Sequence, residues 1–539
     1  MPKDNLDCIL IGNIEYNASE RMIGAGSDKV SRNYIRRQCV KYKNKLYYYT
    51  DFFSYLRMNE SKYSIEEEYE KKYFTLNEIP YIPPLYLEKY LVDRDIDVAR
   101  INYFDGEKTS LINMLKESNP KLVVIQTPIL FNFIPIIRVI NLIRRTNSEV
   151  KICVSCRYIY NKYVTAPISE FETILKTINA DYYSINMPAE KDIYNLIYAI
   201  KENKIPKEVN NIFCLNKDEL TFKVNEDINI KRKEVPLDFT RVEELNRRSL
   251  VDIQISSGCP ANCSFCNYPV KDKILSLLDL RDIEEEFKQL KKMGVKTILF
   301  HDDTINIPEE RFKKICKLMI KNKFNFNWYA YFRLKECDEE IVELMKLSGC
   351  KGVFVGIESS NNQILKNMDK NEDIGDIRRG IELLAKYNIL ICAFVLVGFP
   401  GETEETINQT VRFINSMPID FYTANLWYAD ISTPIYNKKY EFGIEGKDFN
   451  WKHNTMDSAT ASDFADYMLI NIKNSIWVPN ESFGFQGIVY LLDKGYTLDQ
   501  VKALMKGASK LISDNLTHDK TNINNVVYNM KKILCNNDK

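Results

Sequence analysis

Along residues 1–205, short apolar runs alternate with segments of helical period. The pattern predicts strands at Cys8–Ile11, Val98–Tyr103, Leu122–Ile125, Lys151–Val154 and Tyr182–Ile185. It predicts helices at Leu85–Leu91, Ser110–Glu117, Ile134–Arg145, Ser169–Ile178 and Glu190–Ile200. Strands alternating with helices imply a parallel sheet covered on both faces. Residues 14–80 fit less well: they are rich in Tyr, Lys and Asn and read as an insertion or cap. Residues 206–250 break the rhythm with a hairpin pattern at Ile212–Val224, then a charged linker carrying Pro236. From Val251 the alternation returns, with strands expected at Val251–Ser256, Thr297–Asp302, Asn327–Phe332, Gly352–Ile357, Leu390–Val397 and Phe421–Trp427. Between them lie helical segments such as Arg281–Met293, where Ile283, Phe287 and Leu290 share a face. Such units predict a partial (β/α)6 TIM-like barrel over residues 251–435, with its chemistry at the carboxyl ends of the strands. Residues 436–539 read as a mostly helical C-terminal cap, for example Leu498–Ile512. The expected fold class is α/β: a Rossmann-like parallel-sheet domain, then the partial barrel, then the helical region.

Composition narrows the function. A chain of 539 residues is too long for one ordinary core. Lys plus Arg and Asp plus Glu are both 74, so no surplus basic charge points to nucleic acid or an anionic membrane. The N-terminal MPKDNLDCILIGN lacks an apolar region of the secretory type. The apolar stretch Leu122–Ile143 is broken by Gln126, Pro128, Asn132, Pro135 and Arg138, unlike a membrane span. A reducing, cytoplasmic setting is the expectation. There are 13 cysteines, dispersed along the chain, and three histidines: His301, His453 and His518. That balance excludes a small disulfide scaffold and most imidazole-based metal chemistry.

One cysteine group stands apart. SSGCPANCSFCNY places Cys259, Cys263 and Cys266 in a C-x3-C-x2-C loop directly after the first strand of the second half. Three thiolates at this spacing can hold three irons of a [4Fe–4S] cluster and leave the fourth iron open to a small molecule. The alternatives are a structural zinc site with a distant fourth ligand, and inert thiols. Cys153 and Cys156 form a further C-x2-C and read as partly buried thiols, as do the isolated cysteines.

Further motifs fall in register with that loop. Phe265 precedes the last cysteine, HDDT (His301–Thr304) ends the second strand, and YFR ends the third with Arg333. GIESS ends the fourth with Glu358 and Ser359, and VGFPGET (Val397–Thr403) ends the fifth. Over roughly Leu250–Pro434 the chain resembles the radical SAM superfamily. The resemblance implies that Cys259, Cys263 and Cys266 bind a [4Fe–4S] cluster. It implies that Phe265, Asp302, Asp303, Arg333, Glu358, Ser359, Gly398, Pro400 and Gly401 contact S-adenosylmethionine (SAM). It further implies reductive cleavage of SAM to a 5′-deoxyadenosyl radical that takes hydrogen from a substrate at the barrel mouth. A flavodoxin- or ferredoxin-type protein would be the reductant. His301, beside the acidic pair, and His453, in WKHNTMDSATA after the barrel, are candidate catalytic proton handlers.

A sheet domain before such a barrel resembles the cobalamin-dependent radical SAM methyltransferases. IPYIPPLYLEKYL and NPKLVVIQTPILF are similar to that architecture, and WKHNTMDSATA to a phosphinate P-methyltransferase subgroup. The resemblance implies cobalamin as a cofactor and a small-molecule or peptide substrate. Two features depart from it. No histidine occurs in residues 1–300, so a protein imidazole from that half does not ligate the corrin. Ser155–Cys156 stands where relatives often carry a Gly-Gly pair that lets backbone approach the cofactor. The alternatives are a cobalamin-free radical SAM enzyme that rearranges or cyclises its substrate and, from another class, an iron–sulfur electron carrier or zinc-binding module.

Overall fold

The computed structural model describes residues 6–58, 73–127, 130, 132–186, 189–204, 209–216, 219–223, 236–239, 249–267, 275–480, 484–518 and 522–535. Most of the expected linker after the hairpin lies outside the described residues. The chain divides into two compact units. One comprises Met1–Gly24, Ser64–Lys72 and Asn77–Arg241, the other Ala25–Tyr63, Tyr73–Leu76 and Val242–Lys539.

The first unit is built on a sheet of β1 (Cys8–Asn13), β2 (Val98–Tyr103), β3 (Leu122–Ile125), β4 (Lys151–Val154), β5 (Tyr182–Ser184), β6 (Ile212–Asn216) and β7 (Glu219–Phe222). The spatial order is β2-β1-β3-β4-β5-β6-β7. The first five strands run parallel; β6 pairs antiparallel with β5, so the hairpin extends the sheet. Period-two alternation splits each parallel strand between two cores. Ile9, Ile11, Val123, Ile125, Ile152 and Val154 face the helices Lys108–Glu117, Ile134–Thr146 and Ile168–Ile178. Cys8, Leu10, Leu122, Val124 and Cys153 face Ile82–Val92 and Glu190–Lys201. Burial on both faces explains why these strands read as continuous apolar runs. The order reverses at β1, so the crevice outside the carboxyl ends of β1 and β3 is the topological switch point, where such sheets bind ligands.

The second unit carries β8 (Leu250–Ile253), β9 (Thr297–Phe300), β10 (Asn327–Phe332), β11 (Cys350–Glu358), β12 (Leu390–Val397), β13 (Phe421–Leu426) and β14 (Ile476–Trp477), adjacent in chain order. All pairings are parallel. The six expected strands are joined by β14, which holds only Ile476 and Trp477 and is too short to show an alternation. Helix Gly484–Asp493 follows it, and its Phe485 packs edge-on against Phe354 of β11 at 4.1 Å between ring centroids.

The tyrosine-rich segment expected as an insertion contributes Ala25–Tyr63 to this second unit. Helix Lys29–Arg37 is capped by Asp28, whose side chain accepts from Val30 and Ser31 N–H. Its last residue, Arg37, is 1% exposed. The guanidinium donates to Ser462 O at 3.0 Å, Ser462 Oγ at 3.0 Å and Asp466 Oδ1 at 2.9 Å on helix Ser458–Asn471. Replacing Arg37 by Ala leaves the half-buried Asp466 carboxylate without its counter-charge. We expect a loss of about 3 kcal/mol of stability, read as a shifted denaturant midpoint, with Asp466→Asn in the same background recovering part of it.

Candidate cofactor site

The loop after β8 has little regular structure, so its neighbours set its shape. Cys263 is buried, and Cys259 and Cys266 are half-buried. Cys266 N–H donates to Cys263 O at 3.1 Å. Between them, Ser264 gives its N–H to Met368 O at 2.8 Å and its Oγ–H to Asn367 O at 2.9 Å. Ile435 N–H donates to Ser264 O at 2.9 Å. Ahead of Cys259, Gly258 has φ +85°, a conformation costly for other residues, and gives its N–H to Asp303 Oδ2 at 2.9 Å.

Expected SAM-facing residues divide once placed. Asp302 is fully buried and accepts from Ser256 Oγ and from Ile255 N–H. Burial pushes its carboxyl up to about 6, against those hydrogen bonds. Asp302 and Asp303 therefore both tie the cysteine loop to the end of β9. Arg333 is likewise engaged by protein, donating to Lys370 O at 2.7 Å and pairing with Glu372 at 2.9 Å. Its charge also reaches Cys259 and opposes the burial that raises this thiol.

Phe265, Glu358, Ser359 and the glycine turn form a second set. Glu358 ends β11 with φ +62°, an unusual conformation for a residue with a side chain. Gly356 makes room for it: a Cβ there would stand 2.2 Å from Glu358 Oε1. Burial raises the Glu358 carboxyl, Lys370 opposes that, and Glu372 adds to it. Ser359 is buried, and its Oγ accepts Asn361 N–H at 3.3 Å. Phe265 meets Phe399 edge-to-face at 6.3 Å, joining the cysteine loop to the VGFPGET turn. Gly398 and Gly401 have φ +87° and +98°, flanking Pro400. A Cβ on Gly398 would stand 2.6 Å from Ala461 Cβ, and one on Gly401 2.5 Å from Asn367 Nδ2. A cavity of about 930 Å3 is lined by Pro260, Ala261, Asn262, Arg333, Lys370 and Glu372, among others.

The two histidines differ in availability. His453 is 8% exposed and stacks on Trp451 at 5.2 Å and 7°. Its Nε2–H donates to Gly398 O at 3.1 Å, and its Nδ1 accepts Thr455 N–H at 3.3 Å. Both ring nitrogens are engaged and burial lowers its pKa, so the ring is a neutral support for the turn. His301 is 34% exposed and bonds through Nε2 to Asp252 Oδ2 at 2.9 Å.

Glu402 was not among the expected site residues. It is 1% exposed, accepts Gly398 N–H at 2.7 Å and is also bonded by Phe399 N–H. Glu402 and His453 thus grip both sides of the Gly398 residue. The signal was present as the acidic residue of VGFPGET, but an acid beside a helix start reads first as a cap.

At the switch point of the first unit, Gln126 and Thr127 follow β3 and are 4% and 1% exposed. Gln126 Oε1 and Thr127 Oγ1 are buried without a hydrogen-bond partner among the described residues. Buried Ser155 and Ser184 stand at the ends of β4 and β5. Cys153 and Cys156 are buried, and burial raises both thiols, Cys156 to about 11, which makes them inert as nucleophiles. Among the described residues, no three His, Cys, Asp or Glu side chains gather as ligands of a single metal ion. The ligands of a four-iron cluster each sit on a different iron and stand further apart. Cys259, Cys263 and Cys266 share one loop, and the Arg333 charge acts on Cys259 and Cys263.

Burial pushes Glu402 from an ordinary 4.5 up to about 8. The folded chain holds this proton to higher pH than the unfolded chain, so the stability it confers is complete below 4.5 and is lost as pH rises toward about 8. We expect melting temperature to fall between about pH 5 and about pH 8, and Glu402→Gln to flatten that fall. Equal slopes for the two proteins would refute the assignment.

Comparison with known proteins agrees with this geometry. Residues 253–414 match the Radical SAM superfamily. The bacteriochlorophyllide d C-12(1)-methyltransferase of Chlorobaculum tepidum is 27% identical over 38% of this chain, which spans only 44% of that relative. The cobalamin-dependent radical enzyme OxsB, solved with aqua-cobalamin and SAM, superposes with a TM-score of 0.59 at 14% identity, covering 98% of this chain and 83% of its own. The radical SAM methyltransferase TsrM of Kitasatospora setae, solved with tryptophan and a SAM analogue, superposes at 0.56 and 16% identity, covering 80% and 75%. At those identities the likeness is one of fold. Residues 253–414 are a radical SAM domain, set in a chain that shares its fold with cobalamin-dependent radical SAM enzymes.

Proposed function

We propose that this chain is a radical SAM enzyme that methylates a small-molecule or peptide substrate with cobalamin. The observation that carries the reading is the cysteine loop at the carboxyl end of β8, pinned by Asp303 to β9 and through Phe265 to the glycine turn. Cys259, Cys263 and Cys266 would hold the cluster. Phe265, Glu358, Ser359 and the Gly398–Gly401 turn would face SAM. Asp302 and Asp303 act by fixing the loop, and Arg333 places its charge beside Cys259 and Cys263. When bound, the cluster would supply the electron that cleaves SAM, and the corrin a methyl group. The residues bind, orient and exclude water.

Cobalamin is assigned to the crevice of the first unit. Gln126 and Thr127 offer buried polar atoms without partners at the switch point, and neighbouring Ser155 and Ser184 add hydroxyls. The bacteriochlorophyllide and tryptophan named for the relatives support a small organic substrate. A flavodoxin- or ferredoxin-type protein is the proposed reductant. No helix among the described residues is long and apolar enough to cross a membrane. One observation favours the cobalamin-free alternative: the side chains of Ser155 and Cys156 fill space at the end of β4 that a glycine pair would leave open.

Anaerobic reconstitution should load about four irons per chain, and reduction should release 5′-deoxyadenosine from SAM. Cys259→Ala, Cys263→Ala and Cys266→Ala should each abolish that release; its survival in all of them sinks the reading. Titration with hydroxocobalamin, followed by the corrin absorbance that co-elutes with the protein, separates the two variants of the proposal. Stoichiometric retention supports methyl transfer, and none at micromolar concentration favours the cobalamin-free enzyme.

A further inference from the structure

Asp252, on β8, has no place in the cofactor scheme above, yet it is 6% exposed and carries a charge inside a parallel sheet. Such a group is expensive to bury unless it has partners that make use of it. Its Oδ2 receives the His301 ring at 2.9 Å and Gln486 Nε2–H at 2.8 Å. Gln486 comes from the helix that also brings Phe485 against Tyr329 and Phe354. His301 follows β9 directly, with a third of its side chain exposed. Its Nδ1 has no hydrogen-bond partner among the described residues. A carboxylate on Nε2 fixes the tautomer: Nε2 carries the hydrogen, and the lone pair is on Nδ1, the other edge of the ring. This arrangement is the orienting half of an acid–base pair, in which the carboxylate steadies the imidazolium that forms.

The surroundings favour a positive ring. Burial would lower the His301 pKa, but Asp252 outweighs it by charge and hydrogen bond, and Asp302 and Asp303 add to the effect. Of the other groups here, Tyr331 on β10 feels Asp252 and Asp303 and is pushed by burial to about 12, so it stays neutral. Arg311 is directed at Asp302 and bonds Ile255 O and Leu278 O. Tyr331 and Phe394 are half-buried and bracket Phe354, with centroids at 4.9 and 4.6 Å, giving an aromatic wall on the same sheet.

We infer that His301, oriented by Asp252, accepts a proton from the substrate. The inference rests on the radical SAM reading and specifies its substrate class: a molecule with an apolar or planar body that carries an ionisable X–H group. In the step, the X–H bond breaks heterolytically. The proton goes to His301 Nδ1, the electron pair stays on the substrate, and the new imidazolium is balanced by the Asp252 carboxylate. The exposed part of the ring then returns the proton to water. Asp252 is a positioning residue, and Gln486 shares its oxygen.

The test uses diethyl pyrocarbonate, which acylates neutral imidazole nitrogens, on the anaerobically reconstituted full chain, with sites located by mass spectrometry. With three histidines, each is resolved separately. His301 should react along a pH profile whose midpoint lies above that of free imidazole, while His453 stays protected. Asp252→Asn should lower the His301 midpoint, and Asp252→Glu should restore it. Gln486→Leu, which leaves the carboxylate to His301 alone, should raise it and serves if the Asp252 variants fail to fold. An unreactive His301, or a midpoint indifferent to these changes, overturns the inference. Release of 5′-deoxyadenosine in the same preparation reports on the radical SAM reading independently, so the two failures are distinguishable.

Discussion

The site hangs on a pair of carboxylates that hold a loop without regular structure. From Gly258 to Cys266 the chain must present thiols in a fixed arrangement, and few of its own backbone groups pair with each other. Asp302 and Asp303 supply the missing constraint. One accepts from Ser256 and Ile255 before the loop, the other from Gly258 at its start. Ser264 then fastens the far side to carbonyls near Met368. Hydrogen bonds to ionised acceptors are stronger than neutral ones, so acidic residues suit this task better than amides would. The conformation costs little elsewhere because Gly258 occupies the left-handed position.

Burial explains how the remaining charges are arranged. Arg333 and Glu358 stand at strand ends, and Lys370 and Glu372 lie in the loop between helices Asn362–Asn367 and Ile374–Lys386, where isolated charges would be costly. They compensate one another: Arg333 pairs with Glu372 at 2.9 Å, and Lys370 with Glu372 at 3.5 Å. Glu402 has no such counter-charge and relies on backbone N–H groups, and so its carboxyl retains a proton up to about 8. A neutral acid still accepts the Gly398 N–H, so the turn keeps its shape at physiological pH.

Much of this was legible in the sequence because local pattern and tertiary role coincide. Strands buried on both faces give unbroken apolar runs, and the observed β2 to β4 and β10 match their expected bounds. The cysteine spacing and the glycine turns were readable because chemistry and backbone geometry restrict those positions to few residue types. What was not legible depends on contacts distant in sequence. The two residues of β14 have no period. Arg37 finds its partners more than 400 positions away on helix Ser458–Asn471. Gln486 reaches Asp252 across 234 positions. Arg333, expected to contact SAM from its place at a strand end, also pairs with Lys370 O and Glu372, which no local motif announces.

The scarce histidines show how environment, more than residue type, decides a role. His453 and His301 both lie beyond strand ends and both use Nε2 for a hydrogen bond. For His453 the acceptor is a neutral carbonyl, Thr455 closes the other nitrogen, and Trp451 covers the ring face. Protonation would place a hydrogen where Nδ1 must accept and would strand a charge among aromatic rings, so the ring is held neutral. For His301 the acceptor is a carboxylate, and part of the ring meets solvent. Protonation there turns a hydrogen bond into an ion pair. The same side chain is therefore a fixed strut in one place and a group able to exchange protons in the other. The difference follows from the change of an amide oxygen to a carboxylate oxygen opposite Nε2, together with an Nδ1 that has no hydrogen-bond partner among the described residues.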